Sequence, residues 1–160
     1  GPPGSGKSTI GKALSKALNR NLADTDSLIE AEVGTSISQI FIDKGEPWFR
    51  EVEARIVARE IAELSGVLSL GGGAPLSEIA QKAIKESGAN VVYLDISLSA
   101  AAPRVGFNRD RPLLLGNPRA QWQALSDQRR PIYEKLATQS IKVDDMTVDE
   151  IIAIIESIVS

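Results

Sequence analysis

The chain has 160 residues, 42% apolar and 24% charged, with a net charge of −3, enough for one domain with a core of its own. The acidic balance argues against a nucleic-acid or anionic-membrane surface, and no apolar run reaches membrane-spanning length. With no Cys and no His, disulfide and thiolate chemistry, Ser–His triads and His-based zinc sites are excluded, which leaves carboxylates as proton acceptors near neutral pH.

The first stretch, Gly1-Pro2-Pro3-Gly4-Ser5-Gly6-Lys7-Ser8-Thr9, fits G-x-x-x-x-G-K-[ST] at Gly1, Gly6, Lys7 and Ser8. Its glycines permit positive φ and a close approach of backbone N–H groups to phosphate oxygens. Lys7 supplies a cation for the β- and γ-phosphates, and the Ser8 hydroxyl suits a Mg²⁺ ion. Ile10, Ala13, Leu14, Ala17 and Leu18 recur at helical spacing, so the loop is expected to empty into a helix whose N-terminus adds to the anion site. This part of the chain reads as a nucleotide-phosphate site. A P-loop follows a buried parallel strand, and no residue precedes Gly1, so that strand is expected to be missing from the chain.

A short strand is expected from Leu22, ending in Asp24-Thr25-Asp26, where acids two apart point the same way at a ligand-bearing strand end. The alternative is that either acid caps the helix beginning near Ser27. Ser27 to Val33 and Ser36 to Lys44 read as two helices broken at Gly34. Gly45 marks a helix end, with Glu46-Pro47 opening the next helix. On that helix Phe49, Val52, Ile56 and Ile61 face a core, and Arg50 and Glu53 are neighbours, a spacing that by itself describes a solvated surface pair.

Val67 to Leu70 is a strand leading into Gly71-Gly72-Gly73, which allows a ligand close to the backbone. Because that strand ends in glycine, an acid for Mg²⁺ must come from elsewhere, Asp24 being preferred to Asp95. Ser77 to Ser87 is a helix closed by Gly88, Val91 to Leu94 a buried strand, and Ala100 to Val105 a short helical piece. The stretch from Gly106 through Arg109, Asp110, Arg111 and Pro112 has no apolar period and reads as a mobile loop running to about Pro118. Six arginines lie between Arg104 and Arg130, a concentration suited to a phosphate-closing lid. Arg119 to Thr138 is helical, with Pro131 forcing a kink or an interruption. Ser140 to Val143 is a last strand, and Val148 to Val159 a closing amphipathic helix.

Together these motifs resemble the shikimate kinases from Gly1 to about Val143. The resemblance lies in the P-loop, Asp24-Thr25-Asp26, Phe41-x-x-x-Gly45-Glu46-x-x-Phe49-Arg50-x-x-Glu53, Gly71-Gly72-Gly73, Arg111-Pro112-Leu113-Leu114 and Arg129-x-Pro131-x-Tyr133. It implies a three-layer α/β/α P-loop kinase fold with a parallel sheet in the order 2-3-1-4-5, whose central strand is the one expected to be missing. It also implies a single kinase domain over 1–160, with a lid at about 106–118 and a substrate-binding helical region at about 26–62.

The reaction implied is ATP-dependent phosphorylation of the 3-hydroxyl of shikimate. By the resemblance, Gly4, Ser5, Gly6, Lys7, Ser8, Thr9, Arg104 and Arg111 bind ATP, with Arg104 near adenine and Arg111 carried by the lid. Asp26, Arg50, Glu53, Gly72, Gly73 and Arg129 form the shikimate site, Glu53 orienting Arg50. Ser8 and, through water, Asp24 place Mg²⁺. Lys7, Asp26 and Arg111 carry the catalysis. The expected partners are ATP and shikimate, with no nucleic acid or membrane, for a monomeric cytoplasmic enzyme. Another small-molecule kinase of the same fold, such as a gluconate kinase, and a binding module without catalysis are the rival readings. Beyond Val143-Asp144 the chain lacks the Arg or Asn-Pro often found near adenine, so no nucleotide contact is expected there.

Overall fold

The computed structural model describes residues 1–106 and 117–159. In chain order the elements are α1 (Lys7–Leu18), β1 (Asn21–Asp24), α2 (Thr25–Val33), α3 (Ile37–Lys44), α4 (Glu46–Glu63), β2 (Gly66–Ser69), a 3₁₀ turn (Ala74–Leu76), α5 (Glu78–Ser87), β3 (Val92–Asp95), α6 (Leu98–Val105), α7 (Pro118–Leu136), β4 (Gln139–Lys142) and α8 (Val148–Val159). The strands pair in twos, β1 with β2 and β3 with β4, both parallel. No described helix is long and apolar enough to cross a membrane. The chain divides into two compact units, one of Gly1–Ile10 with the described part of 90–160, the other of Gly11–Ala89.

In the unit of Gly11–Ala89, β1 and β2 run in register from Asn21 opposite Gly66 to Asp24 opposite Ser69. The expected first strand is corrected here. It ends at Asp24, and Thr25 and Asp26 already belong to α2. The reason is a cap. Asp24 Oδ1 accepts from the backbone N–H groups of Asp26 at 2.9 Å and Ser27 at 3.2 Å, satisfying donors that the helix start would otherwise leave unpaired.

Gly34 ends α2 in the left-handed region at φ 86°, where a side chain would be strained. Gly45, at φ 84° and ψ 165°, both ends α3 and starts α4, so the turn expected there is confirmed. Ile29, Ile40, Phe49 and Ile56 make one buried cluster, backed by Leu28, Val33, Ile37, Trp48 and Val52. Each buried side chain of that size contributes about 1.5–3 kcal/mol, which holds α2, α3 and α4 as one helical body. Val57, Ala74 and Ala80 form a second cluster joining α4, the 3₁₀ turn and α5.

In the other unit, β3 and β4 pair from Val92 opposite Gln139 to Asp95 opposite Lys142. Ile151, Ile152 and Ile155 supply the buried face of α8. That helix opens on a reciprocal cap: Thr147 Oγ1 accepts from Glu150 N–H, and Glu150 Oε1 accepts from Thr147 N–H, both at 3.2 Å. Helix α7 continues through Pro131, so no interruption occurs there. The missing N–H at Pro131 removes one backbone bond, but Trp122, Tyr133 and Leu136 are buried on either side of it and keep the helix in place.

Candidate active site

The phosphate loop lies in the unit of Gly1–Ile10. Gly4 and Gly6 have φ of 84° and 96°, the left-handed values that only glycine takes without strain. A Cβ on Gly4 would also come within 3.1 Å of Val105 and 3.3 Å of Ala101, so the loop rests directly on α6. Ser5 N–H donates to the Pro2 carbonyl at 3.2 Å, closing the turn, and Ile10 N–H donates to the Gly6 carbonyl at 2.8 Å as α1 begins. Lys7 Nζ reaches back to the carbonyls of Gly1 at 2.6 Å and Pro2 at 3.1 Å. Ser8 and Thr9 are exposed in the first turn of α1. The Arg104 guanidinium donates to the Gly4 carbonyl at 3.1 Å, which puts it against the loop.

A second group of predicted residues converges in the unit of Gly11–Ala89. Thr25, fully buried, accepts from Gly71 N–H at 2.9 Å, tying the start of α2 to the glycine stretch. A Cβ on Gly71 would come within 2.6 Å of Asp26 Oδ1 and 3.4 Å of Glu53 Oε2. A Cβ on Gly73 would fall inside the Arg50 guanidinium. Asp26, Arg50, Glu53 and the glycines are therefore packed as one cluster, with Gly72 half-buried between its neighbours.

Within this cluster Arg50 Nη1 donates to Glu53 Oε1 at 2.8 Å, and Arg50 Nη2 lies 3.3 Å from Glu46 Oε1. The guanidinium also stacks over the Phe49 ring, 5.2 Å from its centroid, and Phe41 packs on Phe49 at 4.8 Å. Glu53 is 3% exposed. The pair is therefore not the solvated one that its spacing alone describes: the glutamate is a buried carboxylate, stable there because the arginine pairs with it.

Asp95 is occupied by other partners. Both its oxygens accept from Arg130, Oδ2 from Nη1 and Oδ1 from Nη2, each at 2.9 Å, and Tyr93 Oη donates to Oδ1 at 3.3 Å. These bonds push the Arg130 guanidinium further above its already high ordinary pKa. Burial, aided by the Asp95 charge, pushes the Tyr93 hydroxyl up to about 12. An aspartate doubly engaged by a guanidinium is a poor metal ligand. Asp24 is itself the cap of α2.

Arg129 is half-buried on α7, and its buried Nε has no hydrogen-bond partner among the described residues. Lys7, Ser8, Arg104 and Arg129 belong to one unit, and Asp24, Asp26, Arg50, Glu53 and the glycines to the other. Arg111 and the central part of the expected lid lie outside the described residues. Among the described residues no group of three or more carboxylates could hold a metal ion by itself.

Sequence reasoning passed over three contacts, those of Thr25 with Gly71, Asp95 with Arg130 and Trp122 with Pro3. Thr25 was visible only as the middle of a motif. The Asp95–Arg130 pair joins residues 35 apart, with no local pattern to announce it. Trp122 donates its indole N–H to the Pro3 carbonyl at 2.9 Å, 119 residues away.

The family model for shikimate kinase matches residues 3–159. The shikimate kinase of Salinispora arenicola is 48% identical over 151 residues, covering 94% of this chain and 89% of that protein. That of Thermobifida fusca is 46% identical over 150 residues, covering 94% and 86%. Among solved structures, shikimate kinase from Acinetobacter baumannii in complex with shikimate superposes with a TM-score of 0.90 at 31% identity, covering 99% of this chain and 89% of that one. Shikimate kinase from Aquifex aeolicus gives 0.80 at 34% identity, covering 96% and 89%. The parallel strands, the helices between them and the glycine loop opening α1 are those of a P-loop α/β kinase. By its sequence, its fold and the motifs gathered at its two clusters, the chain belongs to the shikimate kinase family.

Proposed function

We propose that this kinase transfers the γ-phosphoryl group of ATP to the 3-hydroxyl of shikimate, with the phosphate loop holding ATP and the Asp26–Arg50–Glu53–glycine cluster holding shikimate. The observation that carries the reading is Arg50 itself. Its guanidinium is oriented by buried Glu53 and stacked on Phe49, beside glycines too close for any side chain. A planar donor held in this way is suited to a carboxylate, which it can engage through two parallel N–H bonds.

The remaining roles follow from chemistry at each position. N–H groups of Gly4 and Gly6, with the α1 N-terminus leading into Ser8 and Thr9, face anionic oxygens, while Ser5 N–H closes the loop on the Pro2 carbonyl. Lys7, now bonded to two carbonyls of its own loop, carries the charge that engages the β- and γ-phosphates. Arg104 sits against Gly4, where adenine would enter, and Arg111 adds charge to the transferring group. Arg129, whose buried Nε has no partner among the described residues, supplies a second guanidinium for the shikimate carboxylate, while Gly72 and Gly73 let the ring approach. Asp26 orients the attacking hydroxyl and takes up its proton.

Mg²⁺ fits the donor set. Ser8 offers a hydroxyl and Asp24 a carboxylate, both hard oxygen donors, and the lack of an all-protein carboxylate cage among the described residues suits an ion that enters with nucleotide phosphates. When bound, Mg²⁺ neutralises charge on the transferring phosphoryl group. We take the enzyme to act as a monomer in the cytoplasm, as one kinase domain whose partners are its two substrates.

Arg129→Ala separates the two substrates. Losing one buried, charge-assisted partner costs about 2–5 kcal/mol, so the KM for shikimate is expected to rise from about thirty- to several-thousand-fold. The KM for ATP should stay nearly constant. Equal effects on both, measured in a coupled ADP-release assay, would remove Arg129 from the shikimate site.

A further inference from the structure

The carbonyls of the phosphate loop are held one by one. Gly1 O accepts from Lys7 Nζ at 2.6 Å and from Tyr133 Oη at 3.4 Å, Pro2 O from Lys7 at 3.1 Å, Pro3 O from Trp122 Nε1 at 2.9 Å, and Gly4 O from Arg104 at 3.1 Å. Two of these donors, Trp122 and Tyr133, come from α7. That helix is pinned to the end of β3 by the bidentate Arg130–Asp95 pair, and Tyr133 packs on Tyr93 with centroids 5.1 Å apart. Trp122 is 5% exposed, so its N–H has little access to water and a real need for this one acceptor.

The consequence is geometric. A trans peptide points its C=O and its N–H in opposite directions. Pro2 and Pro3 have no N–H, so Gly4 carries the first amide after Gly1 that can meet a phosphate oxygen. Holding the Pro3 carbonyl on Trp122 turns the N–H of the same peptide, that of Gly4, to the opposite side. It also keeps the carbonyl oxygen from facing the phosphates, which it would repel.

We propose that Trp122 is a positioning residue for the nucleotide, acting through the Pro3 carbonyl to present Gly4 N–H to a phosphate. This rests on the reading of the loop as the ATP site, and the experiments separate the two. In calorimetric titrations Trp122→Phe, which keeps an aromatic ring but no N–H, is expected to weaken ADP binding about five- to tenfold, as the loss of one hydrogen bond implies. Its shikimate affinity should stay within about twofold of wild type on the same grounds. An unchanged ADP affinity, or equal losses for ADP and shikimate, would overturn the proposal while leaving the ATP site intact. A wild-type protein that fails to bind ADP would overturn both.

The second measurement leaves Trp122 in place, and so survives if the phenylalanine variant folds poorly. The chain has two tryptophans, and Trp48 packs in the core cluster of the helical body, so Trp48→Phe leaves Trp122 as the sole indole. Saturating ADP should then shift its emission, because the peptide whose carbonyl holds its N–H then donates its own N–H, that of Gly4, to an anionic phosphate. Emission that does not respond to ADP in a variant that binds it would refute the coupling.

Discussion

Asp26→Asn is expected to lower kcat by about 10²–10⁴-fold, the range over which a positioned proton acceptor contributes, with only a modest change in the KM for shikimate. The substitution keeps size and one acceptor oxygen, and so keeps the hydroxyl near its place. What it removes is the negative charge and the capacity to accept a proton. Asp26 sits in the first turn of α2, where losing a carboxylate costs about 0.3–1 kcal/mol of helix-dipole interaction, too little to unfold the protein. The rate of the chemical step, read in a single turnover, decides the matter. A variant that transfers phosphate at the wild-type rate would show that Asp26 does not engage the reacting hydroxyl.

The second large effect is expected from one methyl group. At Gly73 φ is −92°, so alanine is allowed by the backbone and any damage comes from the Cβ. That atom would overlap the Arg50 guanidinium, which is held by Glu53 at 2.8 Å and stacked on Phe49. Arg50 must swing away, and buried Glu53 then loses its cation, a change that costs about 3–5 kcal/mol when a buried pair is broken. Gly73→Ala should therefore raise the KM for shikimate by at least about a hundredfold and lower Tm together. Gly88→Ala is the matched control. Gly88 has φ 68° and nothing within 4 Å of a built Cβ, so alanine there should cost about 1–2 kcal/mol of backbone strain and leave both KM values unchanged. If the two variants behave alike, the packing of Arg50 against Gly73 has no functional weight.

Much of this was legible because it is local. The loop motif, the glycine helix ends at Gly34, Gly45 and Gly88, and the closing helix at Val148–Val159 each depend on residues within one or two turns. Asp24-Thr25-Asp26 was found as a motif, and Asp24 does end the strand, but Thr25 and Asp26 open α2, because a strand end and a helix cap both favour aspartate. Only the hydrogen bonds to Asp26 and Ser27 N–H distinguish them. The burial of Glu53 was hidden from its local spacing for a different reason. A charged pair at i, i+3 is normally solvated, and its burial comes from the glycine stretch 18 residues or more away, which leaves room over it. Ile79 shows the converse limit, an apolar residue in a helix that is 63% exposed. The Asp95–Arg130 and Trp122–Pro3 contacts join residues far apart in the chain, and nothing in their local sequence announces them.

The central claim is that this chain phosphorylates shikimate, and the most direct test is ADP release coupled to acceptor identity. The protein is incubated with ATP and Mg²⁺, with shikimate or with gluconate, and the phosphorylated product is located by phosphorus and proton NMR. The account predicts ADP release that depends on shikimate, equimolar phosphate on its 3-hydroxyl, and no turnover of gluconate. Turnover of gluconate without shikimate, or phosphate on another shikimate oxygen, would contradict it.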